Sequence, residues 1–92
     1  MVRLDKFLKA ARLVKRRTVA QEMVEIGAVR LNGRTCKPSA NVVEGSTIDI
    51  AYMARVLKVK VLCADERLLK RPETTAYEVL EERRVPADER PW

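Results

Sequence analysis

The amino-acid sequence predicts an α+β fold in which two N-terminal helices pack on a small antiparallel sheet and a short helix follows towards the C-terminus. Three observations support this prediction. Apolar residues recur at helical spacing near the N-terminus, an Asn32-Gly33 dipeptide marks a hairpin turn, and two later segments alternate apolar and polar residues. With 92 residues, the chain has room for one modest hydrophobic core.

The first predicted helix begins near residue 4. Its apolar residues follow the i, i+3, i+4, i+7 spacing of one helical face: Leu4, Phe7, Leu8 and Ala11. Asp5 suits the N-cap or the first turn, where a carboxylate meets the positive end of the helix dipole. Arg3 then lies just ahead of the helix.

The second predicted helix begins at Thr18. Thr18 and Gln21 have the spacing of a capping box, in which the two side chains satisfy the free backbone N–H groups at a helix start. Gly27 is placed to end the helix, because glycine readily takes the left-handed conformation that follows a last helical turn.

A hairpin follows the second helix. Residues 28–31 alternate apolar and polar side chains, and Asn32-Gly33 favours a type I′ turn, which requires positive φ at both central residues. Residues 34–36 are then predicted as the returning strand. Lys37-Pro38-Ser39 breaks that strand.

Two more strands and a helix complete the prediction. Residues 47–52 and 57–61 alternate as half-buried strands do, with a turn at Glu44-Gly45 ahead of them. Residues 75–84 are predicted as a short helix with Tyr77 and Leu80 on one side.

The composition predicts two parts. Residues 1–62 are predicted to form one domain, and residues 63–92 a helical extension that ends in a flexible tail. The last residues, 85–92, have too little apolar content to fold alone, so Trp92 is predicted to be a mobile terminal residue or a patch against the core.

The positive charge is concentrated in the first part. The chain has 19 Lys and Arg against 13 Asp and Glu, a net charge of +6. Residues 1–62 hold 13 basic and 5 acidic groups, a net +8, whereas residues 63–92 hold 6 basic and 8 acidic groups, a net −2. Such a domain attracts polyanions, of which nucleic acid is the commonest and an anionic membrane surface the runner-up. A basic face that is merely solvated is the alternative.

The candidate binding residues lie on the first helix, before the second helix and around the Asn32-Gly33 turn. Arginine is well suited to phosphate because its planar fork makes two hydrogen bonds to one oxyanion. The predicted RNA-binding residues are Arg3, Asp5, Lys6, Lys9, Arg12, Lys15, Arg16, Arg17, Thr18, Asn32, Arg34 and Lys37.

Asp5 is the one acid among the first seventeen residues, and its role has two readings. It caps its helix and pairs with Lys9 at i+4, or it holds a neighbouring arginine in one rotamer for RNA. The two roles are compatible.

Other classes of protein fit the sequence poorly. Histidine is absent, and Cys36 and Cys63 are too far apart in sequence for a Cys-x-x-Cys site, so we expect no metal, no cofactor and no catalysis, with both thiols reduced. No apolar run is long enough for a membrane span and no signal peptide is evident, which favours a cytoplasmic protein. Few aromatic residues favour recognition of RNA backbone and shape over base stacking.

These motifs together resemble the ribosomal protein S-four type RNA-binding domain. The resemblance covers about the first two thirds of the chain and is carried by Arg3-Leu4-Asp5-Lys6-Phe7-Leu8, Arg12, Lys15-Arg16-Arg17-Thr18, Ala20, Gly27, Val29, Leu31-Asn32-Gly33, Lys37-Pro38-Ser39 and Val42-x-x-Gly45. It implies that the two helices and the following turn form the RNA-binding face, and that Arg3, Asp5 and Arg17 matter most.

Among free-standing bacterial members, the resemblance implies a role in ribosome quality control. Such a factor binds ribosomal RNA of the free large subunit and the peptidyl-tRNA that remains in its P site. It steadies the tRNA while a partner, the alanine-tailing factor, extends the stalled chain, and we expect it to be a monomer. Two alternatives stay open: a heat-shock-type or assembly-type ribosome-binding factor of the same fold, and a protein-interaction module that uses the Tyr77 and Leu80 helix.

Overall fold

Two helices and five strands in the first 61 residues pack around one core. The computed structural model describes residues 1–86. In chain order its elements are β1 (Val2–Arg3), α1 (Leu4–Ala10), α2 (Arg17–Glu25), β2 (Val29–Leu31), β3 (Asn41–Val42), β4 (Thr47–Ala51), β5 (Arg55–Val61), α3 (Glu66–Leu69) and β6 (Tyr77–Arg84). The predicted α+β class, with two N-terminal helices on an antiparallel sheet and a short later helix, is confirmed.

All strand pairs are antiparallel. β1 pairs with β3, which brings the start of the chain against residues 41–42. The larger sheet has the order β2-β4-β5-β6. β2 and β6 are therefore its two edges.

The core lies between the two long helices and the larger sheet. The predicted apolar face of α1 is confirmed, since Leu4, Phe7 and Leu8 are fully buried. They are joined there by Val24 of α2 and by the inward side chains of the strands, Val29, Ile48, Ile50, Val59 and Val61. Burial of these side chains fixes α1 and α2 relative to the sheet.

Both long helices end in a Schellman motif. At the end of α2, the Ala28 N–H donates to the Met23 carbonyl (2.8 Å) and the Gly27 N–H donates to the Val24 carbonyl (3.1 Å). Gly27 has φ +80°, as predicted for a residue that ends the helix. At the end of α1 the equivalent position is Arg12, with φ +61°.

The start of α2 differs from the prediction. The helix begins at Arg17 with Arg16 as its N-cap, and no side chain caps it, so Thr18 is the second helical residue and not the cap. The capping-box interpretation was wrong because Gln21 is engaged elsewhere, with Asp5.

The Asn32-Gly33 turn is confirmed. Asn32 has φ +51° and Gly33 has φ +79°, and Leu31 and Arg34 exchange backbone hydrogen bonds of 2.9 and 3.1 Å. The returning strand over residues 34–36 was wrong. Only a single bridge between Leu31 and Arg34 forms there, and the strand that pairs with β2 along its length is β4.

The predicted helix over residues 75–84 was also wrong, because Tyr77–Arg84 is the edge strand β6. It pairs with β5 from the Val61–Tyr77 register to the Arg55–Arg84 register. Leu80 has no residue opposite it and forms the extra residue of a β-bulge, so Tyr77 and Leu80 do not share a helical face. A short helix does form in this part of the chain, but it is α3, at Glu66–Leu69, where no helix was predicted.

The outward face of the larger sheet carries alternating charges. Arg30 lies opposite Asp49, Asp49 opposite Lys58, and Lys58 opposite Glu81. Lys60 in turn lies opposite Glu78. Because cross-strand neighbours share a face, the acids of β6 balance the lysines of β5.

The division of the chain at residue 62 stays a prediction, although β6 belongs to the same sheet as β5. The predicted flexible tail falls mostly on residues 87–92, including Trp92, which lie outside the described part. Val85 before them is buried. None of the helices within residues 1–86 has the length and apolar character that a membrane crossing requires.

Candidate nucleic-acid interface

Asp5 is the centre of a polar cluster at the start of α1. The Arg3 guanidinium donates to both carboxylate oxygens, from Nε at 3.2 Å and from Nη2 at 3.1 Å. Nε of Arg17 donates to Oδ2 at 3.3 Å, and Nε2 of Gln21 donates to the same oxygen at 2.9 Å. The backbone N–H of Lys6 completes the set at 2.8 Å. One carboxylate thus links α1 to the first turn of α2.

The Asp5 carboxylate is fully buried but remains in its charged form. Burial acts to raise its pKa, but hydrogen bonds from Gln21, Arg3, the Lys6 N–H and Arg17 outweigh burial and lower the pKa below its ordinary value of 3.8. The group is therefore negative at neutral pH, and its cluster of one carboxylate and two guanidinium groups carries a net positive charge.

The two arginines remain accessible although they pair with Asp5. The Arg3 side chain is 43% exposed and the Arg17 side chain is 39% exposed. Asp5 is thus placed as an orienting group for arginines, and it does not withdraw them from solvent. Within the described residues its ion pairs go to Arg3 and Arg17, so the pairing with Lys9 was wrong.

Beside this cluster lies a groove of about 900 Å³. Its first wall is formed by α1 and the loop after it, which contribute Lys6, Lys9 and Arg12, and α2 contributes Arg17. Four predicted binding residues therefore share one concave surface.

The remaining predicted residues lie around this surface. Lys15 and Arg16 are exposed in the loop before α2, and Thr18 is exposed in its first turn. Lys37 precedes Pro38, whose carbonyl accepts a hydrogen bond from the Asp5 N–H at 3.1 Å. The segment with Lys37 is thereby attached to the start of α1.

Asn32 and Arg34 belong to the type I′ turn and do not line the groove. The Oδ1 atom of Asn32 accepts a hydrogen bond from the Thr47 N–H at 2.9 Å, which fixes the turn to the start of β4. This contact gives Asn32 a structural role, while the Arg34 side chain is exposed.

Sequence reasoning missed Gln21, which donates to Asp5. A signal for it was present, since Gln21 lies four residues after Arg17 and therefore on the same helical face. It also missed Lys70 and Arg71, which line the groove from the other side. No local pattern marks those two, because the fold brings them to α1.

Nothing in the cluster or the groove has the composition of a metal site. Across residues 1–86, no group of three or more acidic or cysteine side chains could hold a metal ion. Cys36 and Cys63 are free thiols, and burial raises the pKa of the Cys36 thiol.

Comparison with known proteins identifies the class. Residues 2–48 match the family model described as the S4 domain, so the chain belongs to the S4 domain family. Within it, the chain is similar to proteins named RQC P-site tRNA stabilizing factor. The protein of that name from Listeria innocua is 41% identical over 84 residues, which are 91% of each chain. The one from Halalkalibacterium halodurans is 38% identical over 88 residues, 96% of this chain and 100% of that protein.

The fold has a counterpart among solved structures. The trimeric structure of Vibrio cholerae Heat Shock Protein 15 matches 85% of this chain and 80% of that chain, with a TM-score of 0.76 and 36% sequence identity. The similarity extends beyond residue 48 and therefore beyond the S4 match.

Proposed function

We propose that this chain is a non-catalytic RNA-binding factor of ribosome-associated quality control. The observation that supports this most directly is the buried Asp5, which holds Arg3 and Arg17 on one accessible surface. An arginine whose side chain is already oriented loses less conformational entropy when it binds a phosphate. The hydrogen bond to Asp5 uses Nε of Arg17, so both terminal nitrogens of that guanidinium can meet an RNA oxyanion.

The RNA in this proposal is ribosomal RNA of the free large subunit together with the peptidyl-tRNA in its P site. The chain acts in the cytoplasm as a monomer and steadies that tRNA while an alanine-tailing factor extends the stalled nascent chain. The names of the relatives from Listeria innocua and Halalkalibacterium halodurans support the tRNA part of this role.

The experiment is co-sedimentation of purified protein with large subunits that carry P-site tRNA. Arg3→Ala and Arg17→Ala should each weaken binding by roughly 1–3 kcal/mol, the usual loss for a well-formed nucleic-acid contact. Arg84→Ala, an exposed arginine on β6, is the matched control and should bind as the natural protein does. If the Arg3→Ala, Arg17→Ala double variant sediments undiminished, the proposal is wrong.

Asp5→Asn separates orientation of the arginines from bulk charge. This change adds one unit of positive charge, so a purely electrostatic surface would bind RNA more tightly. If Asp5 orients Arg3 and Arg17, the variant should bind more weakly in the same assay. Tighter binding by Asp5→Asn would exclude the orienting role.

The similarity to Heat Shock Protein 15 favours one alternative, a heat-shock-type ribosome-binding factor with this fold. The RNA that co-purifies with the tagged protein from cells distinguishes the two. Large-subunit RNA together with tRNA supports the quality-control role, and large-subunit RNA without tRNA counts against it. The mass of the purified protein in solution tests whether the chain is a monomer, because the Vibrio cholerae Heat Shock Protein 15 structure is trimeric.

A further inference from the structure

The groove beside Asp5 has a second wall that lies outside residues 2–48, the S4 match. This wall consists of α3 and the turn that follows it, and it contributes Lys70, Arg71, Thr74 and Thr75. Leu69 of α3 is buried in the main core, which anchors the wall. The side chain of Asp65 also accepts a hydrogen bond from the Arg67 N–H at 2.8 Å and so caps α3.

The two walls face each other across a strongly basic space. The cations that line it are Lys6, Lys9, Arg12, Arg17, Lys70 and Arg71, and the acid that lines it is Glu66. Glu66 forms an ion pair of 3.3 Å with Lys6. Both partners are about half exposed, so this pair contributes little energy. The Lys6 ammonium nevertheless neutralises the Glu66 carboxylate. The other lining cations then leave an excess of positive charge on both sides of the groove.

The acids of β6 do not cancel this field, because they lie on the larger sheet and not in the groove. Glu78 and Glu81 lie opposite Lys60 and Lys58 on the outward face of the sheet. Glu82 pairs with Arg55 at 3.4 Å. The acids of β6 therefore balance the cations of β5, while Lys70 and Arg71 are exposed towards the groove.

Arg12 adds an independent observation. It occupies the left-handed position of a Schellman motif, with φ +61°, where glycine is the favoured residue. Strained positions of this kind cluster at functional sites. The side chain at this strained position, Arg12, is a cation that lines the groove.

We propose that Lys70 and Arg71 form, with Lys9 and Arg12, a second phosphate-binding surface, so that an RNA backbone lies in the groove between α1 and the turn after α3. The inference rests on the proposed RNA-binding function and extends it beyond the S4 match. Lysine and arginine on facing walls neutralise successive phosphates without reading bases, which fits recognition of backbone and shape.

The test compares two double variants that each remove one lysine and one arginine. Lys70→Ala with Arg71→Ala alters the groove, and Lys60→Ala with Arg84→Ala removes the same charge from exposed positions on the sheet. Affinity for a defined tRNA and for a large-subunit RNA hairpin is measured by fluorescence anisotropy over a range of salt concentrations. Thermal unfolding of each variant verifies that the fold is kept.

The groove variant should bind about tenfold more weakly than the control. Its slope of log affinity against log salt should become shallower by about 1 to 2, close to one unit for each phosphate that the protein no longer neutralises. Equal binding by the two double variants would overturn the inference. If Arg3→Ala and Arg17→Ala still weaken binding in that case, the proposed function stands and only the groove is excluded. If the natural protein binds neither RNA, the proposed function fails and the groove inference fails with it.

Discussion

At the residue scale, Asp5 combines in one carboxylate a structural role and the binding role that we propose for it. It is fully buried, yet each of its oxygens accepts hydrogen bonds, three to Oδ2 and two to Oδ1. A buried carboxylate requires such partners to remain charged. The same bonds that satisfy it set the directions of Arg3 and Arg17.

The lowered pKa of Asp5 predicts a pH-dependent contribution to stability. Because the native pKa lies below the ordinary value of 3.8, the Asp5 hydrogen bonds stabilise the fold fully above about pH 4, and this stabilisation disappears as the pH falls through the native pKa. At pH 5–7, Asp5→Asn should lower the free energy of unfolding by about 1–3 kcal/mol, the usual effect of hydrogen bonds to a charged group.

Urea unfolding of both proteins between pH 7 and pH 3 measures this contribution. The other carboxylates titrate in both proteins, so the difference between them isolates position 5. That difference should be constant above pH 5 and shrink below pH 4. A difference that is unchanged at pH 3, or that grows there, would contradict the role assigned to the charged form.

At the element scale, the end of α1 shows a conflict between stability and binding. The Leu13 N–H donates to the Leu8 carbonyl at 3.0 Å and the Arg12 N–H donates to the Lys9 carbonyl at 3.0 Å, which forces Arg12 into the left-handed region. A side chain with a Cβ atom costs roughly 1–2 kcal/mol there, whereas glycine does not.

Arg12→Gly should therefore stabilise the fold while it weakens RNA binding. We expect a gain of about 0.5–1 kcal/mol, after allowance for the greater freedom of glycine in the unfolded chain, and a melting temperature higher by a few degrees. RNA affinity should fall severalfold because a cation leaves the groove. Arg12→Ala is the matched control, since it removes the charge but keeps the strain. If Arg12→Gly is no more stable than Arg12→Ala, strain at this position is not the cause.

The elements with local signals were predictable from the sequence. The apolar spacing of α1, the end of α2 at Gly27 and the Asn32-Gly33 turn each depend on contacts within a few residues. β6 was not predictable, because its pairing with β5 is non-local and its side chains are nearly all exposed, so no alternating apolar pattern marks it. Tyr77 and Leu80 have helical spacing by coincidence, and Leu80 is the extra residue of a β-bulge.

The candidate site likewise has residues that were predictable from the sequence and residues that were not. The basic residues of α1 and of the loop after it are close in sequence, so their combined charge was apparent from the sequence. Lys70 and Arg71 belong to a segment whose net charge is negative, and only the fold shows that the acids of β6 lie on the sheet, away from the groove. Removal of residues 63–92 is thus no clean test of the N-terminal site, because it would uncover β5 and take buried Leu69 and Val85 from the core.

At the scale of the whole molecule, the charges are divided between two surfaces. The outward face of the sheet is nearly balanced by cross-strand neighbours of opposite sign, such as Lys58 and Glu81. The surface formed by α1, the start of α2 and the turn after α3 is not balanced. An uneven field of this kind steers a polyanion towards one side of the protein.

This division predicts a steep and site-dependent salt sensitivity. On duplex DNA, each phosphate that a protein neutralises contributes about −0.9 to the slope of log affinity against log salt concentration. If about five cations of this surface neutralise phosphates, the slope for duplex regions of RNA should therefore be about −4 to −5. That slope amounts to a loss of roughly 250- to 1,000-fold in affinity between 50 and 200 mM salt.

Titrations of the natural protein with the tRNA at several salt concentrations give the slope directly. The Lys60→Ala, Arg84→Ala variant should keep the slope, because the charges it removes lie on the sheet, whereas Arg3→Ala with Arg17→Ala should flatten it by about 2. A slope near zero would mean that RNA phosphates do not form the main contact. The basic surface would then be a solvated one, and ribosome binding would have to depend on contacts with protein.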